Sequence, residues 1–432
     1  MSYVSFADRA APIGLFGSGN AAIDALLGPL EPSGLGVDFV ADKAIRRWAA
    51  DPQAQFVGPV GSLPGLTFSR ASTAMRWSAT GVYESVANNT LRIDHNPQTL
   101  QRLGALIEPA RTNLAVYSCA IGTAPWGATA IGTVAAPVVT LNNASAPDAT
   151  TTGTRIVMPA VPASAANGSR VGISISGLNA GTYTFSAWLK GSTGGESVYM
   201  SATTNAVNYV RRLCILTTGW QRFDVTVSNP SNGATYYFQI GTDLRDASQT
   251  ATAAQTFYAW GAQLEAGAEA TSLVITGATT ATRASDTAQM QTSAFAFNST
   301  AGTAFVECSR VSGGGVAALV LASPGGNRIG LSRDGATPIA YANISNVDGW
   351  RVNGAAVASG ATGRSAHSWG GGSYSVSHGG ALVTGTLAAV PSLSTLWIGR
   401  ADSDGYTFNG HIRRLSVISR KIPNVELQAL TS

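Results

Sequence analysis

The sequence predicts a mainly β protein made of tandem antiparallel β-sandwiches, preceded by an irregular N-terminal arm and a small β-rich domain. Short segments in which apolar and polar residues alternate recur between turn residues along most of the 432 residues, and this density of period-two alternation is typical of antiparallel sandwiches. In one such segment Val171, Ile173 and Ile175 fall on one face of the strand. Within the C-terminal sandwich only the last segment, 423–430, looks helical.

The composition is poor in charge. Hydrophobic residues make up 45% of the chain and charged residues 12%, about half the usual share. A surface rich in hydroxyls and small side chains fits a packed assembly or a sugar-facing protein better than a cytosolic enzyme. The net charge of +4 is spread along the chain, so the sequence lacks the basic stripe of a nucleic-acid-binding protein, and we expect no nucleic-acid partner.

Changes in composition and in the spacing of apolar and turn residues divide the chain into four predicted domains. Residues 1–36 read as a docking arm, residues 37–114 as a small β-rich domain with a helical segment at 42–50, and residues 115–289 and 290–432 as two sandwiches. Glycines and prolines make the arm irregular, and it is either mobile or docked on another protein. Its apolar anchors favour docking: Phe6, Ile13, Leu15, Phe16, Leu26 and Leu27.

Targeting and cofactor signals are missing from the sequence. We find no charged leader followed by an apolar run and a cleavage site, and no stretch of 18 apolar residues. We therefore expect synthesis in a host cytoplasm without a signal peptide, no membrane insertion, and release on a particle. Cys119, Cys214 and Cys308 lie far apart without CxxC spacing, so we expect buried thiols, no metal and no cofactor.

Several motifs between residues 67 and 285 resemble a segment that recurs in structural proteins of tailed phages. They are Thr67–Ser72, Gly81–Glu84, Thr90–His95, Leu106–Leu114 and Trp260–Glu265. In that family the first four precede a carbohydrate-binding-like sandwich that ends in a motif like the fifth. The resemblance implies a virion protein such as a tail fibre, head fibre or spike. It makes residues 37–114 a virion-associated domain and residues 115–289 a carbohydrate-binding-like sandwich.

The C-terminal sequence is similar to the last strands of concanavalin-A-like or laminin-G-like jelly rolls. The similarity lies in Leu396–Arg400 and in the run from Phe408 to Gln428. It implies a jelly roll for residues 290–432, and such a pattern identifies a fold much better than a function.

Catalytic patterns are weak in this sequence. A polysaccharide hydrolase needs two carboxylates facing one cleft, whereas four candidate glutamates are scattered, and we expect them at the surface or in turns: Glu196, Glu265, Glu269 and Glu307. No Gly-x-Ser-x-Gly elbow accompanies the four histidines. Two aspartate pairs resemble parts of calcium loops but lack the completing glutamate, and we interpret them as tight turns: Asp243 with Asp246, and Asp402 with Asp404. We expect no enzyme.

Aromatic residues in glycine-rich segments of the last domain predict a sugar site. Sugar rings stack on aromatic faces while polar side chains bond the hydroxyls. The predicted carbohydrate-binding residues are Trp350, Arg351, Trp369, Tyr374, Asp402, Asp404 and Tyr406. In the central domain we assign Trp188, Trp220 and Trp260 to the core, with exposed alternatives at Tyr199, Tyr209 and Arg211–Arg212.

These observations favour a virion surface protein that attaches to host-surface polysaccharide. The arm would bind a capsid or tail protein, and a homo-oligomer would raise avidity by presenting several weak sites. A purely structural decoration or fibre protein is the alternative, and a capsule depolymerase is a weaker one.

Overall fold

The computed structural model describes residues 34–47, 55–204, 209–295, 297–310, 316–387, 390, 392–401 and 406–432. The anchors predicted in the arm, together with Asp402 and Asp404, lie outside these residues. Within them the regular secondary structure is almost entirely β-strand, with a C-terminal helix α1 (Asn424–Thr431) and short 3-10 turns at Val60–Ser62 and Thr292–Ala294.

The first strands are β1 (Gly34–Asp38), β2 (Lys43–Arg47), β3 (Gln55–Gly58), β4 (Thr67–Ser69), β5 (Ala74–Trp77), β6 (Tyr83–Val86), β7 (Ile93–His95), β8 (Arg102–Ile107) and β9 (Arg111–Asn113). The middle strands are β10 (Gly127–Ile131), β11 (Val138–Ala144), β12 (Gly153–Met158), β13 (Gly168–Leu178), β14 (Gly181–Gly191), β15 (Ser197–Thr203), β16 (Tyr209–Ile215), β17 (Gln221–Asn229), β18 (Ala234–Asp243), β19 (Gln255–Ala266) and β20 (Ala281–Arg283). The last strands are β21 (Thr287–Gln291), β22 (Gly302–Arg310), β23 (Val316–Ser323), β24 (Asn327–Asp334), β25 (Thr337–Ile344), β26 (Val347–Asn353), β27 (Thr362–Gly370), β28 (Ser373–His378), β29 (Ala381–Thr386), β30 (Thr395–Ile398) and β31 (Gly410–Ile418).

Contacts group the described residues into two units that interleave along the sequence. The terminal unit contains the described residues up to Ala71, Asn88–Pro109 and Ser285–Ser432, and the central unit contains Ser72–Ala87 and Ala110–Ala284. Strands of the predicted small domain are shared between the two units: β4 pairs with β21 in the terminal unit, and β5 pairs with β6 in the central unit. The division of the sequence into four consecutive domains remains a prediction.

The terminal unit is a β-sandwich. Its ten-stranded sheet has the order β29-β28-β27-β22-β31-β1-β2-β3, with β8 on β31 and β7 on β8, and its seven-stranded sheet has the order β26-β25-β24-β23-β30-β21-β4 among the described residues. The core holds side chains of both sheets, such as Val306 and Leu415 from the first and Leu321 and Ile329 from the second. Helix α1 packs on the other face of the ten-stranded sheet through Leu427 and Leu430.

The helix predicted over 42–50 is wrong, because the described part of this segment is strand β2. β2 pairs with β1 on one side and with β3 on the other. Ala44 and Ile45, two consecutive residues of β2, are both buried. Ala44 lies in the core between the sheets, and Ile45 lies beside α1. Burial on opposite faces suits a strand, whose successive side chains alternate, so tertiary pairing overrides the local helical preference.

The central unit is a second sandwich of two five-stranded sheets, with orders β10-β13-β18-β15-β16 and β11-β12-β19-β14-β17 among the described residues. Phe185 and Phe257 of one sheet meet Phe238 and Ile240 of the other in its core. The fold class predicted from the alternation is thus confirmed: the protein is mainly β, with tandem antiparallel sandwiches.

A buried ion cluster joins distant segments of the terminal unit. Asp286 Oδ1 lies 3.0 Å from Arg70 Nη1, its Oδ2 accepts a hydrogen bond from Arg92, and Arg92 Nη1 lies 2.8 Å from Glu108 Oε2. The Glu108 backbone N–H also donates to Asp286 Oδ2 at 2.9 Å. Burial by itself lowers the pKa of Arg92, but the charges of Glu108 and Asp286 raise it above its ordinary value.

The cysteines are free thiols, and Cys214 and Cys308 are buried as predicted, while Cys119 is half-buried. Burial raises the pKa of Cys119 and of Cys214 to about 12.

Among the described residues no helix is long and apolar enough to cross a membrane.

Candidate functional site

The outer face of the seven-stranded sheet is polar and aromatic along strands β24, β25 and β26. On β24 and β25 the inward residues, such as Leu331 and Ala342, belong to the core. Because side chains alternate along a strand, Tyr341 and Asn343 of β25 and Arg351 of β26 point to the opposite, solvent side. Tyr341 and Asn343 are half-buried and Arg351 is exposed.

The register of these strands places the aromatic ring beside a cation and above a glycine. Tyr341 pairs with Arg351 on one neighbouring strand and with Gly330 on the other. A Cβ at Gly330 would lie 2.4 Å from Tyr341 Cζ, so the ring occupies the space that a side chain on β24 would fill. Glycine at this position therefore sets where the ring lies.

These residues line a groove of about 290 Å³. Asn343 Nδ2 donates to Asp348 Oδ1 at 3.0 Å, and Arg351 Nη2 lies 4.0 Å from Asp334 Oδ2. Tyr406, with 53% of its surface exposed, also borders the groove. We call this the outer groove, defined by Tyr341, Asn343, Asp348, Arg351, Asp334 and Tyr406. It combines aromatic rings with amide, carboxylate and guanidinium groups.

The structure brings only part of the predicted sugar site into this groove. Arg351 and Tyr406 lie there, whereas Trp369 has no exposed surface and Trp350 is 8% exposed. The assignment of Trp350 and Trp369 to a sugar-facing surface is therefore corrected. Both lie on strands, β26 and β27, at inward positions, and the neighbouring glycines that suggested loops belong to strand ends and turns.

Trp350, Trp369 and Tyr374, which were predicted to face a sugar, form a cluster with His367 inside the terminal sandwich. The rings of Trp350 and Tyr374 stack at a centroid distance of 4.3 Å, and His367 lies 4.5 Å from Trp350 and 5.2 Å from Trp369. His367 is fully buried, and neither ring nitrogen has a hydrogen-bond partner. Burial, reinforced by the charges of His378 and Lys421, lowers the pKa of His367 to about 3.

The candidate catalytic carboxylates are buried. Glu265 and Glu307 lie on strands β19 and β22, which corrects their predicted place at the surface or in turns, whereas Glu196 and Glu269 lie between strands. Glu196, Glu265, Glu269 and Glu307 are at most 8% exposed. Glu307 faces Arg364 at 3.2 Å, Arg413 at 3.0 Å and Arg414 at 3.1 Å. Both of its carboxylate oxygens therefore contact guanidinium groups, which gives Glu307 a structural role in the terminal unit.

The aspartates of the central unit are also tied into ion pairs. Asp243 is fully buried, accepts a hydrogen bond from Arg170 and lies 2.8 Å from Arg245 Nη2. Burial raises its pKa, but the hydrogen bond of Arg245 and the charge of Arg170 outweigh that effect and lower it overall. Among the described residues no three His, Cys, Asp or Glu side chains gather as a metal site.

In the central unit Trp188 and Trp260 are buried as predicted, while Trp220 is half-exposed. Their cluster includes Tyr83, whose ring lies 5.2 Å from that of Trp188. Of the exposed alternatives proposed there, Tyr199 is buried, and Arg211 and Arg212 are exposed.

No protein-family model and no curated protein sequence matches this chain. Solved structures are similar to about a third of it. The CBM40 module of the Ruminococcus gnavus IT-sialidase, bound to alpha2,3 sialyllactose, is 18% identical over 31% of this chain and 84% of its own, with a TM-score of 0.28. Domain 4 of an arabinanase from Geobacillus stearothermophilus, in complex with arabinotriose, is 15% identical over 34% and 73%, with a TM-score of 0.28.

A heptameric SAP-like pentraxin from Limulus polyphemus is 12% identical over 31% of this chain and 70% of its own, with a TM-score of 0.25. A sialidase from Trypanosoma rangeli is 15% identical over 34% of this chain and 26% of its own, with a TM-score of 0.27. At these identities the likeness is one of fold only.

Proposed function

We propose that this protein is a virion attachment protein that binds host-surface polysaccharide through the outer groove. The observation that carries the proposal is the grouping of Tyr341, Asn343, Asp348 and Arg351 on one solvent-facing sheet surface. A pyranose ring presents C–H groups on its faces and hydroxyls at its edge, and this groove offers a complementary partner for each.

In this mechanism the C–H face of a sugar packs on the ring of Tyr341, and Tyr406 borders the same ligand. Sugar hydroxyls donate to Asp348 and accept from Arg351, while the Asn343 amide can do both. A shallow groove of this kind binds weakly, and several copies on one particle would raise the effective affinity. Oligomeric display is therefore part of the proposal.

The virion setting rests on the motif resemblance between residues 67 and 285. Its test is to image purified particles with antibodies against this protein and to measure adsorption to host cells while soluble protein competes. We expect labelling at the particle surface and slower adsorption. Particles that carry no label, or that adsorb at the same rate with competitor, would contradict the attachment role.

Arg351→Ala should weaken retention on host polysaccharide, because it removes the exposed cation that borders the groove. A lost hydrogen bond to a charged group costs about 1.5–3 kcal/mol, so the dissociation constant should rise roughly tenfold or more. Arg420→Ala is the matched control, because Arg420 is similarly exposed and pairs only loosely with Glu426 at 3.8 Å. Equal retention of the two variants on a panel of host polysaccharides would contradict the groove assignment.

Gly330→Ala tests the aromatic platform without changing any polar group of the groove. The new methyl group would meet the ring of Tyr341 at 2.4 Å, so the ring must move and its stacking on a sugar should be lost. We expect weaker binding by roughly 1 kcal/mol, measured by titration calorimetry. Gly325→Ala is not a suitable control because of its positive φ, whereas Gly61→Ala meets no atom within 4 Å and should leave binding unchanged.

Retention and polymer length together separate the remaining functions. A protein that labels the particle but retains no polysaccharide would be a structural decoration. Shortened capsule polymer after incubation, abolished by Glu307→Gln, would indicate a depolymerase. The buried ion pairs of Glu307 with three arginines lead us to expect unchanged polymer length.

A further inference from the structure

A second cavity of the terminal unit lies at one end of the space between its two sheets. It has a volume of about 540 Å³ and is walled by side chains from β22, β24, β27 and β28, including Val306 and Leu331. Exposed Ala355, Ala356 and Ala381 lie at its rim, so it opens to solvent. This volume is in the range of small-molecule sites.

Arg333 is buried against this cavity without a counter-ion among the residues that the structure describes. It continues the series of inward-facing residues on β24 that begins with Ile329 and Leu331, and its side chain is 3% exposed. It makes no hydrogen bond or ion pair with any residue that the structure describes. Its guanidinium reaches across to β27, since a Cβ at Gly363 would lie 3.1 Å from Arg333 Nη2. The cavity lies directly beside it.

A buried unpaired cation is costly, and several other buried arginines that the structure describes have a carboxylate partner. Arg70, Arg92 and Arg414 are equally buried, but each faces at least one carboxylate within about 3 Å. Arg310 donates to the carbonyl of Gly335. Arg333 therefore differs from these arginines in presenting its charge to a cavity.

Among the residues that the structure describes, no carboxylate pairs with Arg333; Ser432, which also lines the cavity, accepts its hydrogen bond from Arg364 instead. Among the described residues that line the cavity there is no Asp or Glu side chain. Arg364 adds a second guanidinium, which is paired with Glu307 at 3.2 Å. Burial lowers the pKa of His378 to about 4, so this lining residue is neutral at physiological pH and its Nδ1 shares a hydrogen bond of 2.8 Å with Ser365 Oγ.

We propose that this cavity binds one acidic sugar unit, with the sugar carboxylate paired to the Arg333 guanidinium. A single unpaired cation is matched by a monoanion, and the planar guanidinium fork suits a carboxylate. The hydroxyl of Thr362 provides a partner for sugar hydroxyls, and the apolar wall of Val306 and Leu331 can contact a ring face. Ser332 and Arg333 also border the outer groove, so the two sites are neighbours, and separate variants are needed to tell them apart.

Titration calorimetry of the full chain with sodium glucuronate, with glucose as the neutral match, tests the site. We expect glucuronate to bind at least roughly tenfold more tightly than glucose, because a charge-assisted hydrogen bond is lost in the neutral sugar. Arg333→Met should abolish this preference, while Arg420→Met, the matched control at an exposed arginine, should keep it. Equal binding of the two sugars by the unaltered protein would overturn the proposal.

The melting temperature distinguishes a ligand-binding arginine from a structural one. Without ligand, Arg333→Met should be at least as stable as the unaltered protein, because it removes a buried unpaired charge; with glucuronate, only the unaltered protein should gain stability. A lower melting temperature of the ligand-free variant would indicate a structural role and contradict the proposal.

Two further experiments show where the ligand binds. Arg351→Ala should leave glucuronate binding intact, so a defect in the outer groove and a defect in this cavity can be told apart. If acetate protects the protein as well as glucuronate does, the cavity holds an adventitious ion only, and the sugar assignment fails. Loss of glucuronate binding in Arg351→Ala with retention in Arg333→Met would place the acid in the groove instead and overturn the proposal.

Discussion

Asp286→Asn is expected to destabilise the terminal unit by about 3–5 kcal/mol, the usual cost of breaking a buried ion pair by removing one partner. Asp286 has no exposed surface and bonds two arginines, Arg70 and Arg92, which are themselves buried. The amide keeps the shape of the carboxylate but not its charge. Glu108 would remain as a counter-ion for Arg92 but not for Arg70, and the effect should appear as a lower midpoint in urea denaturation.

The matched control for this variant is Asp334→Asn in the same unit. Asp334 and its partner Arg351 are 59% and 51% exposed and lie 4.0 Å apart, and exposed pairs of this kind contribute at most about 1 kcal/mol. Equal midpoints for the two variants would contradict a stabilising role of the cluster. Sugar binding is not a suitable readout for this comparison, because Asp334 borders the outer groove.

Acid is expected to destabilise the terminal unit through His367. The folded protein holds this ring neutral with its pKa lowered to about 3, whereas an unfolded histidine has a pKa of about 6.5. As the pH falls from about 6.5 towards 3, the unfolded chain takes up a proton that the folded chain does not, so the free energy of unfolding decreases. Above about pH 6.5 neither state is protonated and the contribution vanishes.

His367→Phe should remove this pH dependence. The loss of stability in acid is on the order of a few kcal/mol for one such group, and His378, with its pKa lowered to about 4, adds to it over pH 4 to 6.5. The phenyl ring also removes two buried nitrogens without hydrogen-bond partners and keeps the edge-to-face contact with Trp350. We therefore expect a more stable protein at neutral pH as well as a flatter pH profile.

Urea denaturation at pH 4.5 and pH 7 measures both effects. His411→Gln is the control, because His411 is paired with Asp94 at 2.9 Å and lies outside the aromatic cluster. The His411→Gln protein should keep the loss of unfolding free energy in acid that His367 produces. A His367→Phe variant with the acid sensitivity of the unaltered protein would contradict the assignment.

The structure gives a physical role to the motifs on which the predicted resemblance to tailed-phage proteins rests. Arg70, Arg92 and Glu108 come from three of these motifs, and they meet at Asp286. In the Trp260–Glu265 motif, Glu265 Oε1 and Oε2 accept hydrogen bonds from the backbone and hydroxyl of Thr271. These residues are buried and hold segments together, so in this structure they stabilise the fold.

The proposed sugar site shows where sequence reasoning reached its limit. Arg351 and Tyr406 were predicted, but Tyr341 and Asn343 were missed, although alternation along β25 could have placed them opposite the buried Ala340 and Ala342. Trp350 and Trp369 were assigned to the surface because glycines near them suggested loops. A large ring next to a glycine can equally lie on a strand that ends at that glycine, and only burial decides between the two.

By itself the sequence determined the strand-rich character, the apolar face of strands such as β13 and the helix at the C-terminus, because these depend on periodicities of two and 3.6 residues within one segment. Tertiary structure alone decided which strands pair. β1 pairs with β31 across more than 370 residues of chain, and β4 pairs with β21. Backbone hydrogen bonds carry no residue identity, so a local pattern cannot name the partner strand. For the same reason the outer groove and the cavity at Arg333 exist only once the sheets have formed and stacked.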